Sequence, residues 1–115
     1  MGAMPRLLSL AAEVARPETD KIRSAMLGAV AVRADGVIVH ARNGSDLLVS
    51  PTAHAEYRVL RKCGRGADVY VARVRRDGGV ALAKPCPSCV VTMRNRGVKN
   101  VFWTVNALEW AGMEL

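Results

Sequence analysis

The sequence predicts an α/β fold in which helices pack on a mixed, partly parallel sheet. Three observations carry this expectation. The elements read α-β-β-α-β-α-β, a strong turn at Asp35-Gly36 joins the first two strands, and the later strands are linked through helices of crossover length. At 115 residues the chain is expected to be one domain, 1–115, built round one core. Residues 1–4, with Met1-Gly2-Ala3 ahead of Met4, are given no structural weight.

Pro5 to Ala15 reads as the first helix, with Leu7, Leu8, Ala11, Ala12 and Val14 on one stripe and Pro17 closing it. Leu27 to Arg33 is a short strand and Val37 to Ala41 its return. At Gly36 glycine accepts the positive φ of a tight turn. Arg42 to Thr52 reads as a loop. His54 to Cys63 has helical spacing, with Ala55, Val59, Leu60 and Cys63 inward, Arg58, Arg61 and Lys62 outward, and Gly64 and Gly66 ending it. Asp68 to Val74 alternates as a strand, Asp77-Gly78-Gly79 makes a second turn, and Val80 to Ala83 follows. Pro87 to Arg96 is the next helix, stopped by Gly97. Asn100 to Val105 reads as the last strand, with too few residues after it for a full helix and another strand.

Half the residues are apolar and only 4% aromatic, so Val, Ala, Leu and Met must form the core. No apolar run approaches the ~20 residues of a membrane span. With no leader-like start, the expected location is the cytoplasm, and no membrane partner is expected. Three cysteines in such a chain point to metal binding or catalysis rather than a disulfide framework. Charge is uneven. Arg58 to Lys99 holds eleven Lys or Arg against two Asp, a local net of +9, while the remainder nets −2. That segment suits an anionic partner such as a nucleotide phosphate or single-stranded nucleic acid, and equally a solvated basic surface.

Two motifs fall at the starts of the two central helices: His54-Ala55-Glu56 and Pro85-Cys86-Pro87-Ser88-Cys89. Cys86 and Cys89 lie three apart across a helix start, so both sulfurs project to one side of the first turn. Pro87 suits the first helical position, where its missing N–H costs nothing. The positive end of the helix dipole favours the thiolate form that binds zinc. His54 would supply a third ligand, and three protein ligands with one open position make a catalytic arrangement rather than a structural one. Glu56, on the same turn as His54, is placed to carry protons without ligating the metal. This H-x-E…P-C-x-x-C pattern is that of hydrolytic zinc deaminases of nucleobases.

Blander readings stand beside each piece. Glu56 alone suits any helix N-terminus, and His54 alone a cap or surface position. A lone C-x-x-C also fits a redox pair. A closed structural zinc site would need Cys63 or His40 as fourth ligand. Cys63 lies nine residues from His54, about 13 Å by helical rise, so one ion cannot join them.

Taken in order, these residues resemble the zinc-dependent cytidine/deoxycytidylate deaminase superfamily from about Leu27 to Val105. The matching parts are Gly28-Ala29-Val30, Asp35-Gly36, Arg42-Asn43, Ser50-Pro51-Thr52-Ala53-His54-Ala55-Glu56, Pro85-Cys86-Pro87-Ser88-Cys89 and the strand entry Gly97 to Val101. The resemblance implies a three-layer α-β-α fold, here C-terminally short, with Zn2+ held by His54, Cys86 and Cys89 and protons carried by Glu56. It implies that Asn43 hydrogen-bonds the base or sugar and that the Ala55 N–H holds the base carbonyl. Asn43-Gly44 is also a turn signal. Two departures stand out. Arg73 to Lys84 is longer than the usual link and suggests a flap over the site, and the chain ends soon after Val105. A small chain with an open sheet edge also suggests a homo-oligomer, as in many relatives.

The expected activity is hydrolytic deamination of a cytosine-type nucleoside or nucleotide to the uracil form, with release of ammonia. Lys84, Arg94 and Arg96 are unranked candidates for a phosphate. The alternatives are deamination of a base in single-stranded DNA or RNA, including tRNA adenosine, and a catalytically silent zinc-binding module. Few aromatics weigh against the first, since base stacking needs them. An intact Glu56 weighs against the second.

Overall fold

The computed structural model describes residues 4–16, 25–42, 55–75 and 77–115, leaving aside the side chains of Ala25 and residues 55–57. Within these, α1 spans Arg6–Ala15, β1 Ala25–Val32, β2 Ile38–Arg42, α2 Ala55–Cys63, β3 Asp68–Arg75, β4 Val80–Ala81, α3 Pro87–Asn95, β5 Asn100–Thr104 and β6 Trp110–Glu114. The strands form one sheet in the order β2-β1-β3-β5-β6, with β4 also on β3. Among the described residues only the β3–β5 pairing is parallel, made by the crossover through α3, so the sheet is mixed as expected.

Alternation along the strands sorts residues between two layers. Ala29, Ala31, Val69, Val71, Val101 and Trp103 face α2 and α3, where they meet Val59, Leu60, Cys63, Cys89 and Met93. Met26, Val30, Ala72 and Val74 face the other way and pack on Ala11, Ala12 and Ala15 of α1. These are the three layers.

Small residues let α1 lie close to the sheet. A Cβ on Gly28 of β1 would collide with the Ala11 carbonyl oxygen and stand 2.6 Å from the Ala15 nitrogen. Both are backbone atoms that cannot swing aside. Gly28→Ala is therefore expected to cost about 3 kcal/mol, the upper end for overpacking. In a domain this size that is a loss of roughly 12 °C in melting temperature, readable by calorimetry.

The turns obey their side chains. Gly36 has φ 88°, and the Asp35 carboxylate accepts from the Val37 N–H at 3.1 Å. Asp77 does the same for the Gly79 N–H at 2.8 Å, in a turn where Gly78 has φ 89°. The stretch expected as a flap thus forms a hairpin lying in the sheet: β4 pairs with the last part of β3, while β5 pairs with its first part. Thr104 stitches the junction. Its buried hydroxyl donates to the Ala81 carbonyl at 2.8 Å and accepts from the Arg73 N–H at 3.4 Å. Thr104→Val leaves the Ala81 carbonyl and the Arg73 N–H without this hydroxyl, with an expected cost of about 1–3 kcal/mol by denaturant titration. Thr104→Ser should recover most of it.

The strand expected to be the last, ending at Val105, is followed by another. β6 runs antiparallel to β5, reached through a tight turn with no helix. Asn106 builds that turn, its side-chain oxygen accepting from the N–H groups of Leu108 and Glu109, both at 2.8 Å. A hairpin needs far fewer residues than a helix and a strand. Gly112 of β6 leaves room for the Phe102 ring, which a Cβ there would meet at 2.5 Å. Phe102 stacks on Tyr70 at a centroid distance of 4.8 Å and meets Trp110 edge-on.

Candidate metal centre and active site

Cys86 sits at the N-cap of α3 with extended backbone (φ −69°, ψ 159°), and Pro87 opens the helix behind it. The Cys86 carbonyl accepts the first helical bond, from the Val90 N–H at 3.0 Å. One turn on, Cys89 points inward and is buried, while Cys86 is exposed. The two sulfurs stand 3.3 Å apart, well beyond an S–S bond of about 2.05 Å. Two sulfurs bound tetrahedrally to one zinc at about 2.3 Å would be separated by about 3.8 Å. The pair therefore fits chelation of a single ion after a shift of about half an ångström. The Ser88 hydroxyl lies 3.2 Å from the Cys86 sulfur, a hydrogen bond of the kind that orients a metal ligand. Sequence reasoning passed over Ser88, although its place between the two cysteines was the available signal.

Cys89 shares its cluster with Val59, Leu60 and Cys63 of α2, so the pair is set on the face of α3 that meets α2. Ala55 opens α2 and Glu56 is in its first turn; their side chains, His54 and Asn43 lie outside what the structure describes. Of the six residues expected at the site, the structure thus brings together Cys86 and Cys89 and places the backbone of Ala55 and Glu56 at a helix start.

Among the described residues no three His, Cys, Asp or Glu side chains cluster to hold a metal, so neither Cys63 nor His40 joins the cysteine pair. Cys63 is buried, and its thiol donates to the carbonyls of Leu60 at 3.8 Å and Gly64 at 3.5 Å. Burial pushes that thiol above its ordinary value, keeping it neutral and inert. His40 is exposed on the edge strand β2. The phosphate candidates also separate. Arg94 and Arg96 stand at the far end of α3, about 12 and about 15 Å from Cys86 by helical rise. Lys84, two residues before Cys86, is exposed beside it.

Fold and site together define a three-layer α-β-α domain with paired thiols at the start of a crossover helix, beside a helix that carries Glu56 in its first turn. The chain belongs to the family described as the cytidine and deoxycytidylate deaminase zinc-binding region, whose model matches residues 3–105. Among solved structures it is similar to the cytidine deaminase from Mycobacterium tuberculosis, at 20% identity and a TM-score of 0.56, covering 89% of this chain and 86% of that one. It is also similar to the cytidine deaminase from Mycobacterium leprae, at 17% identity and a TM-score of 0.58, covering 92% and 89% respectively. At these identities the likeness is one of fold. No curated protein matches the chain. Among the described residues no helix is long and apolar enough to cross a membrane.

Proposed function

We propose that the protein hydrolytically deaminates a cytosine-type nucleoside or nucleotide to the uracil form, releasing ammonia, with Zn2+ held by His54, Cys86 and Cys89. The observation that carries the proposal is the sulfur pair, 3.3 Å apart at the start of α3, in a chain of this family with Glu56 in the first turn of neighbouring α2. Zinc bound there would lower the pKa of a water toward ~7.

The chain's own residues do the remaining work. The Glu56 carboxylate takes a proton from the attacking water and delivers it to the ring nitrogen as the C–O bond forms. It then takes the remaining hydroxyl proton and passes it to the departing amino group, so that ammonia leaves and the carbonyl remains. The Ala55 N–H holds the base carbonyl and Asn43 the base or sugar. Lys84, exposed two residues before Cys86, is a candidate for a nucleotide phosphate. Ser88 holds Cys86 in place. Like many relatives, the protein is expected to work as a homo-oligomer.

The test is ammonia release from cytidine, deoxycytidine, their monophosphates, guanine, adenosine-containing tRNA, and cytosine-containing single-stranded DNA and RNA. Turnover of cytidine, deoxycytidine or their monophosphates with none of guanine supports the reading, and turnover confined to the polynucleotides overturns it. Turnover confined to the adenosine substrate, or absent throughout in zinc-loaded protein, overturns it.

A further inference from the structure

The cysteine pair at the start of α3 has a geometry that zinc alone does not require. Its sulfurs stand 3.3 Å apart. That lies about half an ångström inside the separation of about 3.8 Å that a shared tetrahedral zinc imposes. It lies only about 1.2 Å outside a sulfur–sulfur bond. The placement of Cys86 allows this approach. Two helical positions three apart hold their Cβ atoms about 5–6 Å from each other, whereas a disulfide needs about 3.5–4.5 Å. Cys86 is the N-cap, with extended backbone at φ −69° and ψ 159°, so the helical spacing does not bind it.

The thiols also differ in access. Cys86 is exposed and Cys89 is buried, so a small oxidant in solution meets the outer sulfur first. The inner sulfur is already in position behind it. The third thiol is set apart. Cys63 is buried, donates to carbonyls at the end of its own helix, and among the described residues forms no cluster with the pair.

We propose that Cys86 and Cys89 form a peroxide-sensitive modification site, in which a disulfide between them replaces their bonds to zinc. The Cys86 sulfur attacks one oxygen of hydrogen peroxide; the O–O bond breaks, leaving a sulfenic acid and one water. The Cys89 sulfur then attacks the Cys86 sulfur; the S–S bond forms, the S–O bond breaks, and a second water leaves. The two sulfurs give up two electrons, which reduce the peroxide to two waters. A metal-free pair supplies the two protons itself, and a zinc-bound pair takes them from solvent. The ion is released, because the thiolates that bind it are gone. A disulfide enclosing only Pro87 and Ser88 constrains the unfolded chain little, so a dithiol reductant reopens it and restores the site. The loss of zinc rests on the metal assignment made under the proposed function; the disulfide itself does not.

The test exposes the full-length protein, zinc-loaded and zinc-free, to hydrogen peroxide. Alkylation after unfolding counts the remaining thiols, and peptide mapping places them. In both forms the count should fall from three per chain to one, at Cys63, and the intact mass should fall by two hydrogens. A chromogenic chelator should register one zinc released for each disulfide formed. The pair should react at least about ten-fold faster than Cys63, and dithiothreitol should return all three thiols together with zinc binding. Cys63→Ala should respond as the parent does. Cys86→Ser, which removes the exposed sulfur, should keep both of its thiols under the same treatment. Oxygen uptake at the pair without an S–S bond, a bond to Cys63 or between chains, or oxidation of Cys63 before the pair would overturn the proposal. So would zinc that stays bound while the disulfide forms, or a zinc-loaded protein that resists peroxide. If the protein takes up no zinc, the metal assignment fails on its own, and the thiol count still decides the disulfide.

Discussion

Glu56→Ala is expected to retain one zinc per chain and to lose deamination by at least about 10³-fold. Two proton transfers depend on this carboxylate, and general acid–base catalysis contributes about 10²–10⁴-fold per positioned group. Glu56 lies in the first turn of α2 and is not proposed as a ligand, so metal content and melting temperature should stay near the parent's. A simple helix-terminal role predicts the reverse, a stability loss of a few tenths to about 1 kcal/mol with turnover intact. Elemental analysis and ammonia release on the same preparation decide between them.

Cys89→Ala is expected to lose both zinc and stability. The sulfur is buried against α2 as well as paired with Cys86, so its loss removes a ligand and leaves a small void. A ligand present at 100 to 1,000 times its Kd stabilises the fold by about 3–4 kcal/mol, and that stabilisation disappears with the ion. Cys86→Ala should lose the same metal-linked part with less packing cost, since Cys86 is exposed. Full zinc occupancy in either variant would reject the ligand assignment. Cys63→Ala should keep its zinc, because that thiol bonds only to carbonyls at the end of its own helix among the partners described.

Much of this architecture was legible because local chemistry and packing agree. Asp35-Gly36, Asp77-Gly78 and Gly97 each sit where the backbone takes positive φ at the glycine, and the alternation of Val69 to Val74 sorts cleanly between two helical layers. The start of α3 was readable residue by residue, since Cys86, Pro87 and Cys89 each have a positional reason. β6 was missed because Trp110 to Glu114 contains a glycine and little β-branched character. Its strand is specified by cross-strand packing, with the Phe102 ring lying over Gly112, which no local pattern announces.

The sharpest single measurement is X-ray absorption at the zinc edge of the full-length, zinc-loaded protein. The account predicts two sulfur scatterers at about 2.3 Å and two lighter atoms at about 2.0–2.1 Å, one imidazole and one solvent oxygen. Three sulfurs, two imidazoles, or a first shell with no sulfur at all would contradict it.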